Sequence, residues 1–587
     1  MRMRTITANP SQIIVEQLAA SGVKYVFNNS GSREAHFFDA LHTHADIHGI
    51  LALHEGSVTA MAGGYAQVKL DPAVMVVHLG AGLAQSLGQL INVWNANLPV
   101  VVITFAGDTG SFTDRGGLDL DHNFGPTSIS KPFVKAAWSV LEAEGLPQVI
   151  YRALQVAQTP PVGPVHIAIY DRLLDDQQVA SQIMTGDIPI PHAGYPADSD
   201  IEALARSLAE AERPLFYVGD GVWKRGAEAQ LIALAERFGV PIAAGWGDTR
   251  SFPIQHPLHC GRFAEAAASL NPDQIICLGA RHWGRGSTQD FSSFLAAKRL
   301  IAIGADLENL KNIPGLDLAI LADERRTLER LNEFIQAEAP AGQFNERRRW
   351  AQAQAAALRA ARVKAIKSVE PQPDRVRPWV LAEAIDQALE DLGGGLVMIE
   401  QYAVPFDTLA ESARPIRQTQ DRPGPPFNNV YLRAAGPSEG YGVGGTVGVK
   451  LAAPDKPVVG LVGDGSLCYA DSGLWTAVQH GIPVLYIIAN NQSYGIVANA
   501  FGGAGGAMRQ SGEYAGVVLS SIDPVKLAEG FGLEGRRVQD EERLGEALKD
   551  SLEVVEREGR PFLLDVRLPL GLPKGGRAAR PFCLAET

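Results

Sequence analysis

Short apolar runs alternate with longer stretches of helical period along most of the chain. Tyr25-Val26-Phe27, Ile50 to Leu53, Val74 to His78, Val100 to Phe105 and Val165 to Tyr170 read as strands. Between them, residues 33–42, 83–96 and 147–157 read as helices, and Glu55 opens another, GSVTAMAGGYAQVK. Asn9-Pro10 supplies a cap and a first-turn proline for a helix through Leu18 that stops at Gly22. The alternation returns with Leu215 to Val218, Ile242 to Ala244, Gln274 to Leu278, Leu300 to Ile303 and Ala319 to Leu321. It returns again with Leu396 to Ile399, Val458 to Val462, Val484 to Ala489 and Phe562 to Val566. This pattern predicts an α/β chain of three domains, each a mostly parallel sheet flanked by helices.

The expected boundaries are 1–182, 200–340 and 376–570, with a tail at 571–587 that forms a surface strap or lid. Residues 184–199 are rich in Pro and Gly and read as a linker. Residues 345–370, rich in Ala and Arg, read as one long helix broken by Pro371, Pro373 and Pro378. A length of 587 residues suits several domains. No apolar run is long enough to span a bilayer, and no apolar stretch with a cleavage site follows the basic start MRMRTITANPSQ, so a cytoplasmic protein is expected. The net charge of −13 speaks against a nucleic-acid surface. Cys260, Cys277, Cys468 and Cys583 are scattered, with neither metal-ligand spacing nor a disulfide framework.

The chemistry concentrates where strands end. The run Val458 to Val462 leads into Gly463-Asp464-Gly465-Ser466, and Val484 to Ala489 leads into Asn490-Asn491. Parallel strands of a βαβ unit end on one edge of the sheet, so Asp464 and Asn491 are expected side by side. A carboxylate and an amide oxygen suit a hard divalent cation that also binds phosphate oxygens. Gly463 and Gly465 let the backbone approach a bulky anion. The bland alternative is an ordinary crossover whose Asp and Asn merely form turns. Near the N-terminus, Ile50-Leu51-Ala52-Leu53-His54-Glu55 places a second carboxylate just past a strand.

GDGS followed by NNQSYG resembles the diphosphate-binding motif of thiamine-diphosphate-dependent enzymes. The resemblance implies Mg²⁺ held by Asp464, Asn491 and the backbone carbonyl of Ser493, with Gly463, Gly465, Ser466, Tyr494 and Gly495 around the diphosphate. The Glu55 segment resembles the pyrimidine-binding half of the same enzymes, where the matching glutamate hydrogen-bonds the aminopyrimidine ring. The resemblance spans nearly the whole chain. It implies a pyrimidine-binding, a central and a diphosphate-binding domain, and a homodimer or homotetramer with active sites at the subunit interface.

Within the family, three segments resemble benzoylformate decarboxylase. VFNNSGSREAHFF carries Ser32, VVHLGAGLAQSLGQLINVWNAN carries His78, and GDGSLCYADSGLWTAVQHGIP is the diphosphate helix. By resemblance Ser32 binds the substrate and His78 moves protons. Two departures stand out. The enzyme's second catalytic histidine has no match in register, with His282 several residues early. The bulky apolar residue that bends the cofactor falls on Glu439, which is read here as an acid/base of raised pKa. Residues 401–433, with Arg414, Arg417, Arg422 and Arg433, form a basic insertion, and Asn499 to Gly506 a glycine-rich lid.

The expected activity is therefore non-oxidative decarboxylation of a small 2-oxo acid. Alternatives are an acetolactate synthase-like carboligase and a lyase or hydrolase of diketones or 2-hydroxy ketones. A thiamine diphosphate-binding regulatory homologue is the non-enzyme alternative, against which stands the retention of Glu55, Asp464 and Asn491. FAD, bound by many synthase-like members, is not favoured, because the central domain carries no decisive flavin pattern.

Overall fold

Three six-stranded parallel sheets carry the chain. The computed structural model describes residues 2–107, 124–174, 177–191, 193–245, 250, 252–281, 291–338, 342–405 and 429–584. His282, Arg414, Arg417 and Arg422 lie outside the described residues. In space the first sheet runs His48–Leu51, Tyr25–Asn28, Ala73–Val76, Val100–Ala106, Val165–Tyr170, Ala136–Val140. The central sheet runs His259–Arg262, Ile242–Ala244, Pro214–Val218, Gln274–Leu278, Arg299–Gly304, Leu318–Leu321. The third runs Val430–Arg433, Leu396–Glu400, Val458–Gly463, Leu485–Asn490, Phe562–Arg567, Gly535–Val538. Helices cover both faces, so the inner strands Val100–Ala106 and Leu485–Asn490 are buried along their whole length.

Several sequence expectations shift. The strand expected to reach His78 ends at Val76, which leaves His78 in the loop beyond the sheet edge. The helix expected from residue 33 starts as the one-turn segment Ser32–Glu34 and continues as Ala35–Thr43. The single helix expected after Asp464 is two, Asp464–Ala470 and Gly473–Gln479. Asn490 belongs to its strand. The glycine-rich lid segment folds largely as helix Gly495–Gly503.

The basic start is itself a strand, Arg2–Ala8, paired antiparallel with Val179–Thr185, so the first unit runs past residue 182. Its polar alternation hides it from a search for apolar runs. The edge strands Ala136–Val140, His259–Arg262 and Gly535–Val538 also escape, because they are short and carry no run of large aliphatic residues. In the tail, Arg577–Ala578 pairs with Glu513–Tyr514.

The first and third sheets share one apolar core, which reaches from Phe27 and Met61 to Val447 and Tyr486. Helix Glu55–Lys69 packs against helix Gly442–Ala452 so closely that a Cβ at Gly64 would lie 2.1 Å from the Gly445 carbonyl oxygen. One at Gly448 would lie 2.0 Å from the Met61 oxygen. Polar bonds seal the contact. Tyr441 Oη donates to Gln67 Oε1 (2.7 Å), Gln67 Nε2 donates to the Arg433 oxygen (2.8 Å), and Leu51 N–H donates to His480 Nε2 (3.0 Å). The described core of the central sheet is separate and draws only on residues between Ile201 and Ala355.

His166, fully buried on strand Val165–Tyr170, has the hydroxyls of Thr104 and Ser130 each 2.8 Å from a ring nitrogen. Burial pushes it down to about 3 from 6.5. The native ring stays neutral while the unfolded chain takes up a proton as the pH falls through 6.5. The stability it contributes above that pH is therefore lost on acidification, at roughly 1.4 kcal/mol per pH unit until the folded value is reached. His166→Gln is expected to lose less stability than the wild type between about pH 6 and pH 4. Urea midpoints of both proteins at the two pH values check this.

Candidate active site

The third sheet delivers its loops as its register dictates. Gly463 pairs with Ala489, so Asp464 emerges beside the chain leaving Asn490. Gly463 caps helix Asp464–Ala470, whose first turn contains Gly465 and Ser466. The Asp464 carboxylate is 2% exposed. Burial pushes it up to about 6, opposed by amides of its own turn, of Gly465 and of Gln492. That last amide ties Asp464 to the 491–493 segment. Asn491 Oδ1 accepts the Ser493 N–H at 3.1 Å. Asn490 faces the other way, its Nδ2 donating to Asp565 Oδ1 at 2.8 Å. The ring of Tyr494 covers Gly465, where a Cβ would come within 2.5 Å of it. Gly495 opens the next helix beside the Asn491 amide.

Asp464 Oδ2 and Ser493 Oγ are buried and have no partner among the described residues. A buried carboxylate oxygen without a partner is costly. The Asp464 carboxylate and the Asn491 amide oxygen are donors of the kind a hard divalent cation takes. Gly571 closes the cradle: a Cβ there would stand 2.4 Å from Ser493 Oγ and 2.6 Å from Asn491 Nδ2.

The first sheet presents a second group. Glu55, 9% exposed, is the first residue of helix Glu55–Lys69, after the cap His54, whose Nδ1 accepts the Gly56 N–H. A Cβ at Gly82 would lie 3.0 Å from Glu55 Oε1 and 3.2 Å from His78 Cβ, so Glu55 and His78 flank the same glycine. His78 Nδ1 lies 3.0 and 3.3 Å from the two oxygens of Glu34, which is fully buried. Ser32 is exposed at the head of the turn that ends in Glu34, and Gly31 before it packs on the His78 ring.

Helix Ala81–Asn95 links the two groups within one chain. Asn92 donates to the Ser438 oxygen (2.7 Å) and accepts the Ser438 N–H (2.9 Å). Gln89 Nε2 donates to the Glu439 oxygen (2.7 Å). The Glu439 side chain turns toward the GDGS helix and accepts from Ser466 Oγ. Burial raises the Glu439 carboxyl, and the Ser466 bond opposes the shift. The sequence-predicted residues thus fall into two clusters joined through Gln89 and Asn92. Sequence reading missed Glu34, Gln89, Asn92, Glu400 and Gly571. Only Glu34 had a local cue, as a carboxylate two residues beyond Ser32.

A small cleft lies apart from both clusters, between the first and central units, beside Asn97, Pro161 and Glu324. Its buried Asp220 is held by Arg281 at 2.9 and 2.6 Å, and none of the predicted site residues lines it.

Three family models match: "Thiamine pyrophosphate enzyme, N-terminal TPP binding domain" over residues 8–123, the central domain of the same enzymes over 201–331, and their C-terminal TPP binding domain over 427–566. The chain is similar to acetolactate synthase isozyme 3 large subunit of Escherichia coli, 25% identical with 95% of this chain and 94% of that protein covered. It is similar to benzoylformate decarboxylase of Pseudomonas aeruginosa, 27% identical with 94% and 97% covered. Among solved structures it resembles the thiamine diphosphate-dependent 4-hydroxybenzoylformate decarboxylase of Rhodococcus jostii RHA1, with a TM-score of 0.74, 25% identity, and 96% and 99% of the chains covered.

Gly571→Val is expected to force Ser493 and Asn491 apart and to weaken thiamine diphosphate binding at least tenfold, with near-ultraviolet circular dichroism unchanged. Isothermal titration of the cofactor in the presence of Mg²⁺ checks it.

Proposed function

The chain belongs to the thiamine pyrophosphate enzymes, and from that premise we propose that it catalyses the non-oxidative decarboxylation of a 2-oxo acid. Bound thiamine diphosphate supplies a nucleophilic carbon and an electron sink. The observation that carries the reading is the His78–Glu34 pair beside Glu55. With Nδ1–H donated to Glu34, the imidazole turns its Nε2, which has no partner among the described residues, to the reaction as the site that takes up and returns a proton. Exposed Ser32 next to it donates its Oγ–H to the substrate carboxylate.

Glu55 holds the aminopyrimidine ring from a buried helix start, where a shared proton is strong. Asp464, Asn491 and the Ser493 carbonyl hold Mg²⁺, and Ser466 with the amides of its helix receives the diphosphate. Glu439 serves as an acid/base on the cofactor side. Its carboxyl, where the decarboxylase pattern has an apolar residue, also favours a second reading: carboligation or C–C cleavage of a diketone, which needs proton transfer to a second carbonyl. The assembly is at least a homodimer, up to a homotetramer, in the cytoplasm. Ile496, Val497 and Phe501, exposed beside the Asn491 loop, support a partner surface there.

The test is incubation of the purified chain with thiamine diphosphate, Mg²⁺ and a panel of aromatic and aliphatic 2-oxo acids, 2-hydroxy ketones and diketones. CO₂ and the matching aldehyde are expected. His78→Ala should lower kcat by about 10²–10⁴-fold, Glu55→Gln should abolish turnover, and Glu439→Leu should lower it. Acyloin or 2-hydroxy-acid products in place of aldehyde select the second reading. No carbon–carbon chemistry with any substrate overturns both and leaves a cofactor-binding regulator. Normal turnover by Glu439→Leu removes that residue's role.

Asp464 gives a separate pH signature. Its folded value of about 6 means that protons compete with the cation as the pH falls through that value. Mg²⁺-dependent cofactor binding is expected to weaken steeply below about pH 6. In Asp464→Asn it should be weak at every pH, which the same titration calorimetry reads.

A further inference from the structure

The turn that carries Glu439 is gripped from beneath by a carboxylate with no role in the account so far. Glu400 ends strand Leu396–Glu400 and is 4% exposed. Its Oε1 accepts the Tyr441 N–H and its Oε2 the Gly442 N–H, both at 2.7 Å. Gly440, between these residues and Glu439, stands at φ 97°, a left-handed conformation that glycine adopts without strain. A Cβ on Gly442 would come within 2.8 Å of Glu400 Cβ, so the carboxylate is wedged against the turn. From the opposite side Gln89 holds the Glu439 carbonyl and Asn92 brackets Ser438. The backbone at Glu439 is thus fixed from two domains, and its side chain has one exit, toward Ser466.

The surroundings are acidic. Glu439, Tyr402 and Tyr441 are the titratable groups that face Glu400, and Arg433 acts on Tyr402. Neither Glu400 nor Glu439 has a cationic partner among the described residues. Glu400 is buried, Glu439 is partly buried and its charge acts on Glu400, so the two do not both ionise cheaply.

We propose that Glu400 is a positioning residue for Glu439: its two amide bonds set the 439–442 turn, and the single negative charge it shares with Glu439 keeps the Glu439 carboxyl protonated as a hydrogen-bond and proton donor at the cofactor side of the site. The inference rests on the reading of Glu439 given above. It is supported by the bonding: both Glu400 oxygens accept turn amides, which favours the ionised form there, whereas Glu439 has only the Ser466 hydroxyl. Burial raises both carboxyls, and Glu439 adds to the rise at Glu400. The same arrangement explains why a carboxyl can stand where an apolar side chain is expected, since in its protonated form it is neutral.

The test is an infrared titration of carboxyl protonation on the full-length protein, with and without thiamine diphosphate and Mg²⁺. Wild type, Glu439→Gln, Glu400→Gln and Glu400→Asp are compared, and near-ultraviolet circular dichroism reports folding. A protonated carboxyl present at neutral pH in the wild type is expected to disappear in Glu439→Gln. In Glu400→Gln, Glu439 loses its charged neighbour and is expected to titrate at least one pH unit lower. Glu400→Asp keeps the charge but withdraws the amide bonds. It should retain most of the titration while weakening cofactor binding severalfold, which covers the case in which Glu400→Gln fails to fold.

An unmoved Glu439 titration in folded Glu400→Gln, or a titration in Glu400→Asp shifted as far as in Glu400→Gln, overturns the proposal. So does a wild-type carboxyl signal at neutral pH that survives in Glu439→Gln. Turnover by Glu439→Gln is scored separately. Full activity there sinks the catalytic reading of Glu439, whereas the infrared coupling decides the role of Glu400 whatever the activity.

Discussion

Two helices built from small residues touch backbone to backbone, and the rest of the site depends on that contact. Gly64, Gly445 and Gly448 bring helix Glu55–Lys69 and helix Gly442–Ala452 to a separation that no Cβ could share. At that range packing forces are short and steep. A methyl group inserted there costs on the order of 1–3 kcal/mol and moves one helix relative to the other. Both helices begin at residues of the candidate site. One starts at Glu55, and the other follows directly on the Glu439 turn. The contact therefore sets more than stability. It sets where the carboxylate of the first sheet stands relative to the loops of the third.

Around this frame the site gathers two buried acids, Asp464 and Glu400, and a partly buried one, Glu439, with no adjacent cation among the described residues. Asp464 keeps an oxygen without a partner among the described residues, Glu400 is satisfied by amides, and Glu439 leans on a hydroxyl. Each is shifted upward by burial. The three are poised differently because their partners differ. A divalent ion would cancel the penalty at Asp464, backbone dipoles reduce it at Glu400, and at Glu439 only a weak neutral donor does so. Perturbed acids gathered in one place mark a candidate functional site.

Most of this plan was legible in the chain because parallel sheets write themselves as apolar runs whose loops share an edge. The pair Asp464/Asn491 followed from strand ends, and the structure brings the two together; His78 came from a resemblance, and its place beside Glu55 at Gly82 is shown only by the fold. What was not legible arose from long-range contact. Glu34, Gln89, Asn92 and Glu400 look like ordinary helix and strand-end polar residues, and only the fold shows that they pin His78 and the 438–442 turn. Strand Arg2–Ala8 was missed because one of its faces is polar, and a strand read by apolar content is invisible when half of it meets water. Gly571 lies 107 positions beyond Asp464 (571 − 464 = 107), and no spacing rule connects them.

The separate core of the central sheet has a thermodynamic consequence. The first and third sheets are a single cooperative body, since they share buried side chains, whereas residues between Ile201 and Ala355 bury theirs among themselves. A chain organised in this way does not melt in one step. Its calorimetric enthalpy is the sum of two cooperative blocks, so one transition temperature assigned to the whole protein would be an average over a catalytic block and a spacer block.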